Sequence, residues 1–361
     1  MKDPGALIEN KRWLVLDLIK GIAIFVMVFS HVVVWWYLEE DAVLAAGSGV
    51  SAETLNIFLK TFGVFSICIP ITAGMAFWFF SQKGFDRNKR SFIVGKFPFL
   101  RTTFFRAIFL IVCGFLMNIL AFGPEDLFAW DALQFIGVSL FFSLVMLKLI
   151  KLEFWCFLSL ILFFSVDLLR GIFLPFQTTY LYEVLFGGGF VYLPFLRFYI
   201  LFVFGFIIGY LYDQTKENKQ KFYRITLSYG VFFSIIYFIS TFNFFTFDTQ
   251  NWWGSIAFAP KGLFLGATGV FSLFVFLGDR YFSSMKLSRY NLFNVYSRGI
   301  FFVYIFHIIF GYHFSNYLKG KGSDGISLFV CVLINLALSY IVGLLYIMIK
   351  EKSWKTPRVI N

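Results

Sequence analysis

Between Leu14 and Tyr37 the chain runs twenty-four residues in which the only charged or imidazole side chains are Asp17, Lys20 and His31. Apolar runs of this kind recur to the C-terminus, separated by short polar segments. A helix crossing the hydrocarbon core of a bilayer needs about 20 mostly apolar residues. In lipid, backbone polar groups must be satisfied by the segment itself or by a closed barrel. Runs of this length read as spanning helices. Composition agrees: 59% of residues are hydrophobic and 14% charged, against about 45–50% and 25% in soluble domains. Aromatic residues reach 23%, more ring surface than so few charges could shield in water. A cytosolic enzyme, a secreted disulfide scaffold and a disordered chain are excluded. The expectation is an all-α polytopic membrane protein in a lipid bilayer.

Ten spans are predicted, at about 14–37, 57–81, 102–121, 130–147, 154–174, 194–212, 222–241, 257–278, 299–318 and 326–349. With the N-terminus cytoplasmic, the inner segments carry 22 of the 31 lysines and arginines, and the outer loops carry 2, both within 319–325. Basic residues collect on cytoplasmic loops, so both termini are expected in the cytoplasm. The same rule accounts for the net charge of +11 without nucleic acid as a partner. The first outer loop is acidic, with Glu39, Glu40, Asp41 and Glu53, and so is the second, with Glu125 and Asp126. No internal repeat or interrupted-helix pair stands out, and residues 1–361 read as one integral-membrane domain. The first run is too long for a signal-peptide core and is expected to remain as a helix. Cys68, Cys113, Cys156 and Cys331 lie inside apolar runs and read as small hydrophobes. The outer segment from Pro175 to Leu193 contains Gly187, Gly188 and Gly189 among aromatics. Such an apolar loop either folds back onto the bundle or rests on the membrane surface.

Ionisable groups inside a membrane are costly and mark candidate sites. Lys20 and His31 are eleven residues apart, which at about 100° per residue leaves them some 20° apart on one face, about 16 Å along the axis. A cation thus lies toward the cytoplasm with an imidazole above it. The structural alternative is that Lys20 snorkels and pairs with Asp17, while His31 hydrogen-bonds a neighbouring helix.

The segment Arg12-Trp-Leu-Val-Leu-Asp17-Leu-Ile-Lys20-Gly21, continuing to Ser30-His31, resembles the opening of the transmembrane acyltransferase superfamily. That superfamily includes acyltransferase family 3 and the heparan-α-glucosaminide N-acetyltransferase-like proteins, whose signature is Arg-x10-His. Here the spacing holds with Lys20 in the arginine's place, which keeps the charge but not the bidentate fork. Further along, Ile-Thr-Ala-Gly74, Arg101 to Cys113-Gly114, Asp131-Ala-Leu-Gln134-Phe-Ile-Gly137, Gly205 with Gly209, and Tyr304-Ile-Phe-His307 are similar, in order, to later segments of that superfamily.

The resemblance implies transfer of an acyl group, most simply acetyl, from cytoplasmic acyl-CoA to a hydroxyl or amine of an extracytoplasmic glycan, in a bacterial inner membrane. Acetyl-CoA would be the co-substrate. Lys20, Arg101 and Arg106 would hold its phosphates, as cations grouped at the cytoplasmic face suit that task. His31 would be the base or the acyl carrier, with His307 assisting. His307 and His313 are six residues apart on one helix and cannot jointly ligate a metal, so none is expected. The close glycines Gly21, Gly74, Gly205 and Gly209 read as helix contacts. At the outer helix ends Lys60, Arg170, Arg197 and Lys261 oppose the charge rule. They either rim an acceptor pocket with Trp35, Trp36, Trp252 and Trp253, or snorkel, with Arg170 paired to Asp167. The rival readings are a secondary transporter of a small polar molecule or lipid-linked sugar, and a catalytically inactive partner in polysaccharide export.

Overall fold

The described part of the chain is built almost entirely of helices. In the computed structural model the described residues are 13–38, 68–82, 85–86, 91–92, 97–187, 191, 193–243, 260–282, 288, 290–319, 321 and 325–355. Arg12, the first outer loop from Glu39, the opening of the second predicted span at 57–67, Lys60, Gly188, Gly189, Trp252 and Trp253 lie outside them. The helices are α1 (Leu14–Leu38), α2 (Cys68–Ser81), α3 (Phe97–Phe122), α4 (Ala132–Leu149), α5 (Leu152–Ile172), α6 (Tyr180–Phe186), α7 (Phe195–Gln214), α8 (Lys219–Asn243), α9 (Lys261–Leu277), α10 (Leu292–Arg298), α11 (Ile300–Lys319) and α12 (Gly325–Lys355). A two-residue antiparallel pairing, β1 (Phe85–Asp86) with β2 (Ser91–Phe92), lies in the connection from α2 to α3.

Among the described residues eight helices are long and apolar enough to cross a membrane, nine if the bent pair α10–α11 counts as one span. The protein is all-α and multi-pass. The second predicted span is represented by the 14 residues of α2, and the ninth, 299–318, coincides with α11. What the prediction lacks is α10, which precedes that span and meets it at 92° around Gly299. A charged stretch read as a loop contains α10, which packs on α1. The sequence pattern missed it because a seven-residue helix is too short to show a periodic face.

Glycines set how closely the helices approach. A Cβ on Gly74 would lie 1.9 Å from the Phe202 carbonyl oxygen, and one on Gly205 would lie 1.9 Å from that of Ile71. α2 and α7 therefore cross in backbone contact, reciprocally. Gly21 on α1 meets α10 the same way, 2.1 Å from the Phe293 carbonyl oxygen. These residues act as helix contacts, as expected for small residues between membrane helices. α7 and α1 are the most enclosed spans, while α3, α5, α8 and α12 turn apolar faces outward, among them Phe105, Phe109, Phe164, Leu168, Phe232 and Phe329. Such a surface suits lipid rather than water. All four cysteines are free thiols, Cys68 and Cys331 buried and Cys113 and Cys156 half-buried.

At the end where α1 begins, α9 continues into a π-helical turn, Gly278–Phe282. It carries Asp279, which is buried and accepts hydrogen bonds from Trp13 Nε1 at 2.9 Å, Tyr223 Oη at 3.1 Å and Lys219 Nζ at 3.2 Å. This tie joins the segment before α1 to α8 and α9. At the other end, the Pro175–Leu193 connection folds back onto the bundle. It forms α6, whose Tyr182, Val184 and Phe186 are buried, and then pairs Val191 with Trp130 in an isolated parallel bridge. Thr179 caps α6 by accepting from Tyr182 N, and Gly187 leaves it at φ 93°, a left-handed conformation that glycine adopts without strain.

Candidate active site

His31 projects from α1 and His307 from α11, and the packing of these two helices brings the rings together. His31 Nδ1 and His307 Nε2 are 3.1 Å apart, with ring centroids at 5.3 Å. His307 is fully buried. Its Nδ1 lies 3.1 Å from the Val303 carbonyl oxygen. A carbonyl only accepts, so that nitrogen carries the proton. In a neutral imidazole the other nitrogen is then the acceptor. His307 Nε2 accepts from His31 Nδ1–H, and the lone pair of the His31 ring resides on Nε2. The order is backbone carbonyl, His307, His31: a base whose tautomer is fixed by a second ring, itself fixed by the main chain.

Aromatic rings enclose the pair. Trp35, one turn beyond His31, has its ring 5.3 Å from His31 and 6.3 Å from His307. Tyr312 stands edge-on to Trp35 at 5.8 Å and to Phe122 of α3 at 4.9 Å. Gly311 makes room for this arrangement, because a Cβ there would lie 2.9 Å from Trp35 and 2.8 Å from Asn335 Oδ1 of α12.

Below this group, Tyr304 packs edge-on to His307 at 5.3 Å and donates its hydroxyl hydrogen to the Asp131 carboxylate. Asp131 is also the N-cap of α4. It accepts from Ala132 N at 2.6 Å, while Gln134 Oε1 accepts from Asp131 N at 3.2 Å, a reciprocal capping box. Gln134 Nε2 then donates to the Ala129 carbonyl at 3.1 Å, and Trp130 Nε1 to that of Leu193 at 3.0 Å. Residues 129–131 are thereby stitched between α4 and the α6–α7 connection. Sequence reasoning gave Asp131 and Tyr304 no role. The Asp131-x-x-Gln134 capping pattern was legible, and so was Tyr304 three residues before His307, but their meeting across 173 positions was not.

The cofactor-binding candidates fall on two helices. Lys20 pairs with Asp17 at 3.2 Å, as the structural alternative expected, and Asp17 also accepts from Ser297 Oγ of α10 at 2.8 Å. Arg101 and Arg106 lie in the first half of α3 on its exposed side, Arg106 with its guanidinium 3.8 Å over the Phe80 ring of α2 and Arg101 5.6 Å from the Phe105 ring. The structure joins His31 to His307 and leaves the three cations on α1 and α3. His313 lies apart from the pair, its Nε2 3.0 Å from the Leu120 carbonyl oxygen. Among the described residues no three His, Cys, Asp or Glu side chains group as metal ligands. Asp167 is paired with Arg197 and with Lys261.

Compared with known proteins, the chain matches no family model, and no curated protein matches it.

Proposed function

We propose that this protein is a membrane-embedded acyltransferase that moves an acyl group, most simply acetyl, from cytoplasmic acyl-CoA to a hydroxyl or amine of an extracytoplasmic glycan. In this reading it crosses a bacterial inner membrane ten times with both termini cytoplasmic. The observation that carries the proposal is the His31–His307 pair, in which main-chain and ring hydrogen bonds leave a lone pair on His31 Nε2. An imidazole held this way is suited to general-base work near neutral pH. His31 Nε2 takes the proton of the acceptor hydroxyl as its oxygen attacks the thioester carbonyl. The tetrahedral intermediate expels the coenzyme A thiolate, which recovers the proton from His31. Lys20, Arg101 and Arg106, near the cytoplasmic ends of their helices, supply positive charge for the coenzyme A phosphates. The resemblance of Lys20-x10-His31 to the superfamily signature supports the same roles.

The test is transfer of radiolabelled acetyl from acetyl-CoA to envelope glycan in membranes carrying the protein. Label should appear in glycan with the parent and vanish with His31→Ala at matched expression. One observation favours a second reading, secondary transport: the 92° break between α10 and α11, since transporters place substrate sites at interrupted helices. Proton-coupled solute uptake without label transfer would assign the His31–His307 pair to that function instead.

A further inference from the structure

The histidine pair is braced from a third helix. The bond from His307 Nδ1 to the Val303 carbonyl lies within α11, and a ring held by that contact alone can swing about its Cα–Cβ bond. Tyr304, three residues earlier on the same helix, packs edge-on against it, with centroids at 5.3 Å and planes at 72°. Tyr304 is itself buried, and its hydroxyl donates to Asp131 Oδ2 at the start of α4.

Asp131 is firm ground for this brace. Its Oδ1 accepts from Ala132 N at 2.6 Å, in a reciprocal capping box with Gln134. Gln134 is fully buried and pressed by α3, since a Cβ on Gly114 would lie 2.5 Å from its Cδ. The Ala129 carbonyl accepts from Gln134 Nε2 and Asn118 Nδ2, and Trp130 Nε1 donates to the Leu193 carbonyl. Capping a helix needs one side-chain oxygen, which serine or threonine also provides. Here the second oxygen of the carboxylate goes to Tyr304, across 173 positions, on the residue that packs against His307. The helix N-terminus favours the anionic form of Asp131, which strengthens that bond.

We propose that Asp131 and Tyr304 are positioning residues for the His31–His307 pair. The carboxylate fixes the Tyr304 ring, that ring fixes His307, and His307 orients His31. The effect on rate rests on the acyltransferase reading; the effect on the rings does not. Two readouts therefore test it, on full-length protein in detergent. The chain has three histidines, so ¹⁵N-histidine spectra are assigned by replacing each in turn, and they report the tautomer of each ring. In the parent, His31 and His307 should each carry the proton on Nδ1. Tyr304→Phe keeps the ring and loses its anchor, and Asp131→Ser keeps the cap and loses the second oxygen. Both should mix the tautomers of the pair. Asp131→Asn should preserve them, because Oδ1 caps while Nδ2 donates to Tyr304 Oη. In acetyl transfer, Tyr304→Phe and Asp131→Ser should lower kcat about two- to thirteen-fold, the scale of one hydrogen bond, and leave the KM for acetyl-CoA unchanged. The double variant should be no slower than either single one, since both cut the same link. A merely structural cap would leave Asp131→Ser like the parent in both readouts. Parental tautomers in folded Tyr304→Phe overturn the proposal, as do additive losses in the double variant. Should Asp131→Ser not fold, Tyr304→Phe decides. If the parent transfers no acetyl, the acyltransferase reading fails while the spectra still decide the brace.

Discussion

His307→Ala removes the acceptor that orients the His31 ring while leaving the base itself in place. His307 Nε2 accepts from His31 Nδ1 across 3.1 Å. A net intramolecular hydrogen bond is worth about 0.5–1.5 kcal/mol, and each 1.36 kcal/mol of barrier is tenfold in rate. Loss of orientation therefore slows acetyl transfer about two- to thirteen-fold. His31→Ala removes the proton acceptor, which costs about 10²–10⁴-fold. His307→Gln separates the roles, because its amide oxygen can accept from His31 Nδ1 although it cannot shuttle a proton. The order of initial rates should be parent, then His307→Gln, then His307→Ala, then His31→Ala. Rates are measured as labelled acetyl incorporated into envelope glycan per unit of folded protein. If His307→Ala transfers at the parental rate, the hydrogen bond plays no part in turnover. If both histidine variants are equally dead and glutamine rescues nothing, His307 takes part in the chemistry and the orienting argument fails.

Four further outcomes are expected. Gly205→Val should lower the melting temperature sharply, since overpacking costs about 1–3 kcal/mol and a Cβ there meets the Ile71 carbonyl at 1.9 Å; Gly171→Ala, with nothing within 4 Å, should melt like the parent, and equal melting of the two would refute this. Alanine at Lys20, Arg101 or Arg106 should weaken coenzyme A binding by about ten- to hundred-fold in calorimetric titration, with Lys20→Arg binding better than Lys20→Ala; parental affinity in all three alanine variants removes the proposed phosphate site. Asp131→Ala deletes both the α4 cap and the Tyr304 acceptor, so it should destabilise by about 1–2 kcal/mol from the cap alone, and Asp131→Asn should recover part of that in thermal unfolding; no recovery would mean the carboxylate's charge is what matters. A cysteine at exposed Gln177 should react with a membrane-impermeant maleimide in intact cells while one at exposed Asn218 should not; the reverse pattern inverts the proposed topology and the direction of transfer.

The membrane class, the helical state and most span positions were legible in the sequence, because lipid leaves a long apolar segment one way to satisfy its backbone. Spacing on a single helix was legible too: Lys20 and His31 share a face of α1, and the Asp17–Lys20 pair follows from three residues of separation. The role of the glycines as contacts could be read in kind, though not which backbones they meet. What the tertiary structure decided are the encounters between distant segments. His31 meets His307 across 276 positions, Tyr304 finds the cap of α4, and Arg197 and Lys261 converge on Asp167. α10 and the break at Gly299 belong to the same class. Apolar periodicity states which face a helix hides, but in a bilayer most faces are apolar and the pattern cannot name the neighbour. Neighbours are chosen by close packing and by the few polar groups that must be satisfied away from water, and those choices exist only once the helices are assembled.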